Sequence, residues 1–495
     1  MSKLNSDILC LIFEELRDDE KTLYSCLSIN KEICEIIIPI LWKNPWKFLK
    51  KGKEKLLLNV IFSHLSKESK NNLNQNNIII NSYQRPLFNY INFCKHLNLS
   101  GIQSIIYNIY EESKIKIIEN EIINLFVNEN TKFTHLYLPC QINFQIHLIP
   151  GAESCLSEIK FLRCNASVEN YILDGLTEIC KSIKELEVLF EKYNNYGIVN
   201  LIKNQKNLFN VCLFDFYYKR HESFNINIEN SLSKHANTMQ YFKTTKPPVT
   251  NLLSSFINLR VLELELNGDY RDYNYLKNVT LPFLQVLKTR FVPTSILINL
   301  IENTSGSLID ISMKSSTSNN VTNNKKIIRT IYQKCQNLMY LNLVLRNSSI
   351  SELEELLIRC QYLDELFLFD YDGIDLNNLF KILTRSSPTN LFKFKFSFSQ
   401  IDLDSLELFF ENWKGRHPMI LQFVCQTEDI EVLIEKYKSE GVIKNYSSDL
   451  VLLDRYGINQ LDCENYIGKS DERPYDFEVD DYDIHPAADT SMEIT

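Results

Sequence analysis

Between about residue 130 and residue 400 one arrangement of large apolar residues keeps returning, with the spacing L-x-x-L-x-L. It reads Phe133/Leu136/Leu138, Leu156/Ile159/Phe161, Ile183/Leu186/Val188, Leu208/Val211/Leu213, Met239/Phe242/Thr244 and Leu259/Leu262/Leu264. It continues as Leu284/Leu287/Thr289, Leu308/Ile311/Met313, Leu338/Leu341/Leu343, Leu363/Leu366/Leu368 and Leu391/Phe394/Phe396. Successive middle positions lie 20 to 31 residues apart. The last two apolar positions of each unit alternate, which is the period of a short strand. Between units the spacing becomes helical, as at Ile350, Leu353, Leu356, Leu357 and Cys360. A strand-plus-helix unit leaves its apolar edge open, and only stacked neighbours close those edges into one core. The expected fold is therefore α/β, a horseshoe with parallel strands on the concave side and helices on the convex side.

Side chains that alternate with the strand leucines face the concave surface. This reading puts Lys160 in the central row of that surface and selects Leu162, Leu189 and Phe214 as apolar contacts on one flank. Glu263, Glu265, Lys288, Arg290 and Lys314 form a charged centre, and Val344, Phe367 and Phe369 the other flank. Two uses are open: the surface holds a partner protein, or its opposite charges pair across strands at under about 1 kcal/mol each. Cys164 and Asn267 stand where a polar turn ladder would begin, and Cys180, Cys335 and Cys360 recur just before strands, where a small buried side chain packs well.

Residues 1–46 read as three short helices. Asn5 or Ser6 can cap the first, Asp18 or Asp19 the second, and Asn30 the third, with Pro39 interrupting it. Leu4, Ile8, Leu9, Ile12, Phe13, Leu16 and Ile29 give this segment more apolar bulk than three short helices bury among themselves, which marks a partner site or packing on the next domain. Residues 47–129 form a connector, with a helix over 51–65, a loop over 66–82 and an atypical first strand over 88–99 that caps the array. Two helices in 401–467, carrying Phe409 and Trp413 and then Ile430 and Tyr437, close the other end. The 468–495 segment is an acidic tail without apolar periodicity, expected to be disordered.

Charge enters through that tail. The formal net charge is −9, and residues 469–495 carry −7 of it, so the body is close to neutral. That pattern gives no electrostatic footprint for nucleic acid. No apolar run approaches the ~18 residues of a membrane span, and no signal-peptide stretch opens the chain. The 13 cysteines include no C-x-x-C pair, as expected of reduced thiols in the cytoplasm or nucleus. H-E-x-x-H, G-x-x-x-x-G-K-[ST], G-x-S-x-G and G-x-G-x-x-G are all missing, and the eight histidines show no ligand spacing. The expectation is a non-enzyme with no catalytic residue, no metal and no cofactor.

The N-terminal segment resembles the F-box. The family runs leucine-proline, an acidic residue, an I/L-L pair, isoleucine-phenylalanine, leucine and then V-C-K-x-W. This chain offers Leu4, Asp7, Ile8–Leu9, Ile12–Phe13, Leu16 and Ile29-Asn30-Lys31-Glu32-Ile33, with Asn5, Asn30 and Ile33 in place of proline, cysteine and tryptophan. Followed by irregular repeats, the chain is similar to the F-box/leucine-rich repeat family. The resemblance implies docking of a Skp-type adaptor through Leu4, Ile8, Leu9, Ile12, Phe13, Leu16 and Ile29. It also implies that the repeats present an unidentified target protein to an SCF-type cullin–RING ubiquitin ligase. A repeat scaffold or inhibitor without that role is the alternative.

Overall fold

A computed structural model describes residues 5–78, 86–142, 144–191, 194–215, 222–266, 273–314, 321–370, 373–398, 400–423 and 428–447. The acidic 468–495 segment, Leu4 and Asn267 lie outside the described residues. The alternating apolar positions build fourteen strands in one parallel sheet whose spatial order is the chain order. They are β1 His96–Asn98, β2 His135–Tyr137, β3 Phe161–Asn165, β4 Glu185–Phe190, β5 Asn210–Asp215, β6 Tyr241–Thr244 and β7 Val261–Glu265. The second half comprises β8 Val286–Arg290, β9 Asp310–Lys314, β10 Tyr340–Leu345, β11 Glu365–Asp370, β12 Lys393–Ser397, β13 Met419–Phe423 and β14 Ile443–Ser447.

Register carries the periodicity into space. Leu97, Leu136, Leu162, Leu186, Val211, Phe242 and Leu262 pair in turn across neighbouring strands. Leu287, Ile311, Leu341, Leu366, Phe394 and Leu421 continue the row. All are buried in one continuous core. Each such side chain contributes ~1.5–3 kcal/mol when taken from water. The returning segments are helical, for instance Asn170–Ile179, Thr294–Glu302 and Ile350–Arg359, and their apolar stripes cover one face of the sheet. In the shortest unit, 20 residues from Phe242 to Leu262, the helix shrinks to Leu252–Ser255, and among the described residues a 3-10 turn at Asn274–Leu276 precedes β8. The architecture is thus an α/β solenoid-like stack.

Four expectations change. The unit that forms β3 is Ile159/Leu162/Cys164, three residues along from Leu156/Ile159/Phe161, so Cys164 fills a core position and starts no turn ladder. The array runs from β1 to β14, so residues taken as a connector and a terminal cap supply strands β1, β13 and β14. Over 88–99 the chain gives the one-turn helix Tyr90–Phe93 before the three-residue β1. The asparagine-rich stretch after residue 66 is a helix at Lys67–Gln75, capped by Ser66 and anchored by buried Leu73.

Ahead of the sheet stand α1 Ser6–Glu15, α2 Glu20–Cys26, α3 Lys31–Lys43 and α4 Glu54–Ser63. Asn5 accepts the Asp7 N–H at 3.3 Å, Asp19 the Thr22 N–H at 3.1 Å and Asn30 the Ile33 N–H at 2.9 Å. α3 continues through Pro39, whose interior position costs about 3 kcal/mol in an isolated helix. Burial of Ile37, Ile38 and Leu41 from the same helix offsets that cost. Phe13, Leu23, Ile37 and Leu41 form a small core of their own. The end of α3 and the turn after it are tied to the start of β1: Lys95 N–H donates to the Lys43 carbonyl at 2.9 Å, and Trp46 Nε1–H to the His96 carbonyl at 3.0 Å. Trp42, which touches both cores, packs on Tyr90.

Candidate functional site

Two surfaces gather the residues selected from the sequence. The first is the outer side of α1. Ile8 is 46% exposed and Ile12 43%, and Leu11 between them reaches 69%. Ile29, at the end of the turn after α2, is 59% exposed. Three- and four-residue steps put Ile8, Leu11 and Ile12 on one helix face. Leu9 and Leu16 are half-buried against the small core. Phe13 is 6% exposed and belongs to that core, so its selection as a contact residue is corrected. Leu11 lies outside the apolar set Ile8, Leu9, Ile12, Phe13 and Leu16 selected from the sequence. The helix divides these positions into an inner stripe at 9, 13 and 16 and an outer one at 8, 11 and 12. Exposed Tyr24 on α2 was missed as well.

The second surface is the sheet face turned away from the helices. Its central row reads Tyr137, Arg163, Glu187, Cys212, Lys243, Glu263, Lys288, Ser312, Asn342, Phe367 and Lys395. Arg163 takes the place expected for Lys160, which instead precedes β3 and accepts backbone hydrogen bonds from Lys184 and Glu185. Leu162 is a correction of the same origin: it lies wholly in the core on the helix side. Leu189 and Phe214 do face outward and sit side by side. Val344 and Phe369 are likewise neighbours, and Phe367 lies 4.2 Å from Phe369, centroid to centroid.

The charged centre pairs within itself. Lys243 Nζ lies 3.2 Å from Glu263 and 3.0 Å from Glu265, and Lys288 Nζ lies 3.3 Å from the other Glu263 oxygen. Arg163 pairs with Glu187, and Lys246 with Asp215 at 2.7 Å. Burial alone would favour a neutral Lys243, but the Glu265 and Glu263 carboxylates outweigh it and raise the pKa. The Cys212 thiol, enclosed beside Glu187 and Lys243, is pushed far up by burial, the opposite of what an activated nucleophile requires. Arg290 is exposed at the edge of this centre, its guanidinium over Phe291, while Lys314 is half-buried beside it in register.

A third grouping had no sequence signal, because its members stand on different units. The His96 and His135 rings stack at 3.8 Å at the β1–β2 end, and Phe161 extends the stack. Among the described residues no group of three or more histidine, cysteine or carboxylate side chains could hold a metal ion, and no helix is long and apolar enough to cross a membrane. A shallow cleft of about 270 Å³ beside Ile123, Phe144 and Leu148 is lined by apolar and amide side chains. No protein-family model matches the chain, and no curated protein is similar to it in sequence.

Proposed function

We propose that the chain is the substrate-recognition subunit of an SCF-type (cullin–RING) ubiquitin ligase. In this reading α1–α3 are an F-box docked on a Skp-type adaptor, and the repeats are leucine-rich repeats whose outer sheet face holds the target protein. One observation carries it: the three helices have a core from Phe13, Leu23, Ile37 and Leu41, yet Ile8, Leu11 and Ile12 stay outside it. Apolar side chains that the fold does not use, grouped on one helix, support a docking role. The departures Asn5 and Asn30 fit the same reading, since each caps a helix of the unit. Transfer chemistry belongs to other subunits, and the chain needs no catalytic residue, metal or cofactor of its own.

Co-purification with a Skp-type adaptor tests this directly. The wild-type chain captures adaptor, and Ile8→Asp/Ile12→Asp does not, while circular dichroism shows the fold retained. Phe13 is unsuitable for that experiment, because a charge there breaks the small core. A second reading, a leucine-rich repeat scaffold or inhibitor without ligase function, is favoured by Ile33. It stands where the family has tryptophan, and it packs inward on the small core. Failure of the wild-type chain to capture adaptor selects that reading.

A further inference from the structure

The residue immediately ahead of each strand from β1 to β11 donates its N–H to the carbonyl of its counterpart one unit back. The row begins at Lys43 and runs Lys95, Thr134, Lys160, Lys184, Phe209, Gln240, Arg260, Gln285, Ile309, Met339 and Asp364, with hydrogen bonds of 2.7–2.9 Å. Neighbouring strands lie ~4.8 Å apart, so these residues stand in line along the edge where the strands begin. Up to β7 the charged members are all cations, and no carboxylate enters the row before Asp364. Lys160, Lys184 and Arg260 are exposed, and among the described residues no carboxylate lies within ion-pair distance of them. The Lys184 ammonium stands over the ring of the next member, half-buried Phe209, at 5.8 Å. Lys95 Nζ donates to the Lys132 carbonyl at 3.2 Å, and Lys43 lies 3.9 Å from Glu14. Two other acids stand close in sequence. Glu158 is held by Lys132 at 2.6 Å, and exposed Glu185 follows Lys184 at the start of β4. Lys132 keeps the Glu158 carboxyl below the usual range, and Lys95 and Lys160 add to the effect, so the field along this edge is positive.

We propose that this strand-entry edge, from Lys95 to Arg260, binds an extended acidic segment of a partner protein, with Lys160 and Lys184 as its main contacts. The cations form a line and not a broad patch, which suits a linear polyanion. From Lys95 to Lys184 the row crosses three strand spacings, roughly 14 Å, a length that an extended segment covers in about four residues. Carboxylates on such a segment answer ammonium groups that the fold leaves unanswered and in reach of solvent. The chain carries −9 overall, so an edge without carboxylates is where an acidic segment meets attraction. A nucleic-acid backbone is less well served, since its binding rests on neutralising many phosphates and the row is short. The proposal gives a chemistry to the target that the repeats hold. It rests on that half of the proposed function and is independent of adaptor docking on α1.

Fluorescence anisotropy on the full chain tests it, with labelled octaglutamate as the probe and octalysine and single-stranded octathymidylate as comparators. Octaglutamate binds, weakens with added salt as the Debye length falls, and binds more tightly than either comparator. Lys160→Gln/Lys184→Gln weakens octaglutamate binding about ten-fold, while Lys160→Arg/Lys184→Arg retains it. Lys326→Gln/Lys381→Gln makes the same change in net charge at exposed positions on the helices Val321–Lys334 and Leu376–Ser386, and leaves the affinity as in wild type. The proposal is overturned by absence of octaglutamate binding, by an unchanged affinity in Lys160→Gln/Lys184→Gln, or by an equal loss in Lys326→Gln/Lys381→Gln. Tighter binding of octathymidylate overturns it in favour of nucleic acid. Adaptor capture measured on the same preparation separates these failures from that of the ligase reading.

Discussion

Glu263 sits almost out of contact with water, and it holds Lys243 with one oxygen and Lys288 with the other. Removing one member of a buried ion cluster leaves the others desolvated and unanswered, at about 3–5 kcal/mol. Glu263→Gln should therefore lower the urea midpoint sharply without changing the slope of the transition. The surface pair Lys132–Glu158, half-exposed on both sides, should tolerate the equivalent change within ~1 kcal/mol. Leu162 and Leu189 make the same contrast among apolar residues. Leu162→Ala opens the core and should cost ~2–5 kcal/mol, while Leu189→Ala, half-buried on the outer face, should cost less than half of that in the same urea titration. The sequence placed these two alike because Leu156, Ile159, Phe161 and Leu162 satisfy the spacing in two frames. The strand register selects the second frame, with Leu162 between Leu136 and Leu186.

At the scale of elements, the β1–β2 end is held by stacked imidazoles whose neutrality the fold enforces. Burial, helped by the positive charges of Lys43, Lys47 and His135, lowers His96 to about 3, and burial with Lys43 and Lys160 lowers His135 to about 4. Both values lie below the ordinary 6.5, so the unfolded chain binds more protons than the folded one as pH falls through 6.5. Stability contributed here is complete above about 6.5 and is lost progressively toward pH 4. The melting temperature should drop between pH 7 and pH 5, and His135→Phe, which keeps the stack, should reduce that drop. Hydrogen exchange should locate the loosening at Leu97 and Leu136. Most strands were legible as elements, since leucines at fixed spacing leave few other solutions. β13 and β14 were not: Met419, Leu421 and Phe423 alternate, but no leucine stands three residues ahead of them. The helix at Lys67–Gln75 was hidden because it buries one apolar side chain, Leu73, and otherwise presents amides and lysines.

Over the whole molecule, a sheet in chain order gives every unit two neighbours except at its ends, where α3 packs on Tyr90–Phe93 just ahead of β1 and the helix Glu428–Ser439 packs on β14. Ending the chain at residue 400 would strip β13 and β14 from β12 and bare Phe394 and Phe396. Such a truncation should elute as aggregates in size exclusion, since an uncapped edge pairs with other chains. The outer sheet face was legible only in part for a related reason. Sequence gives the register of each unit, but pairing between units decides which charges are already spent and which remain. The repeats carry a further consequence in their thiols. Cys94, Cys164, Cys180, Cys335 and Cys360 are buried, each raised by that burial to about 12, and they are spread from one end of the sheet toward the other. A thiol so enclosed reacts with an alkylating agent only when its own stretch of the stack opens. The wild-type chain therefore carries a row of internal clocks, and the order in which they are alkylated reads out the order in which the stack comes apart.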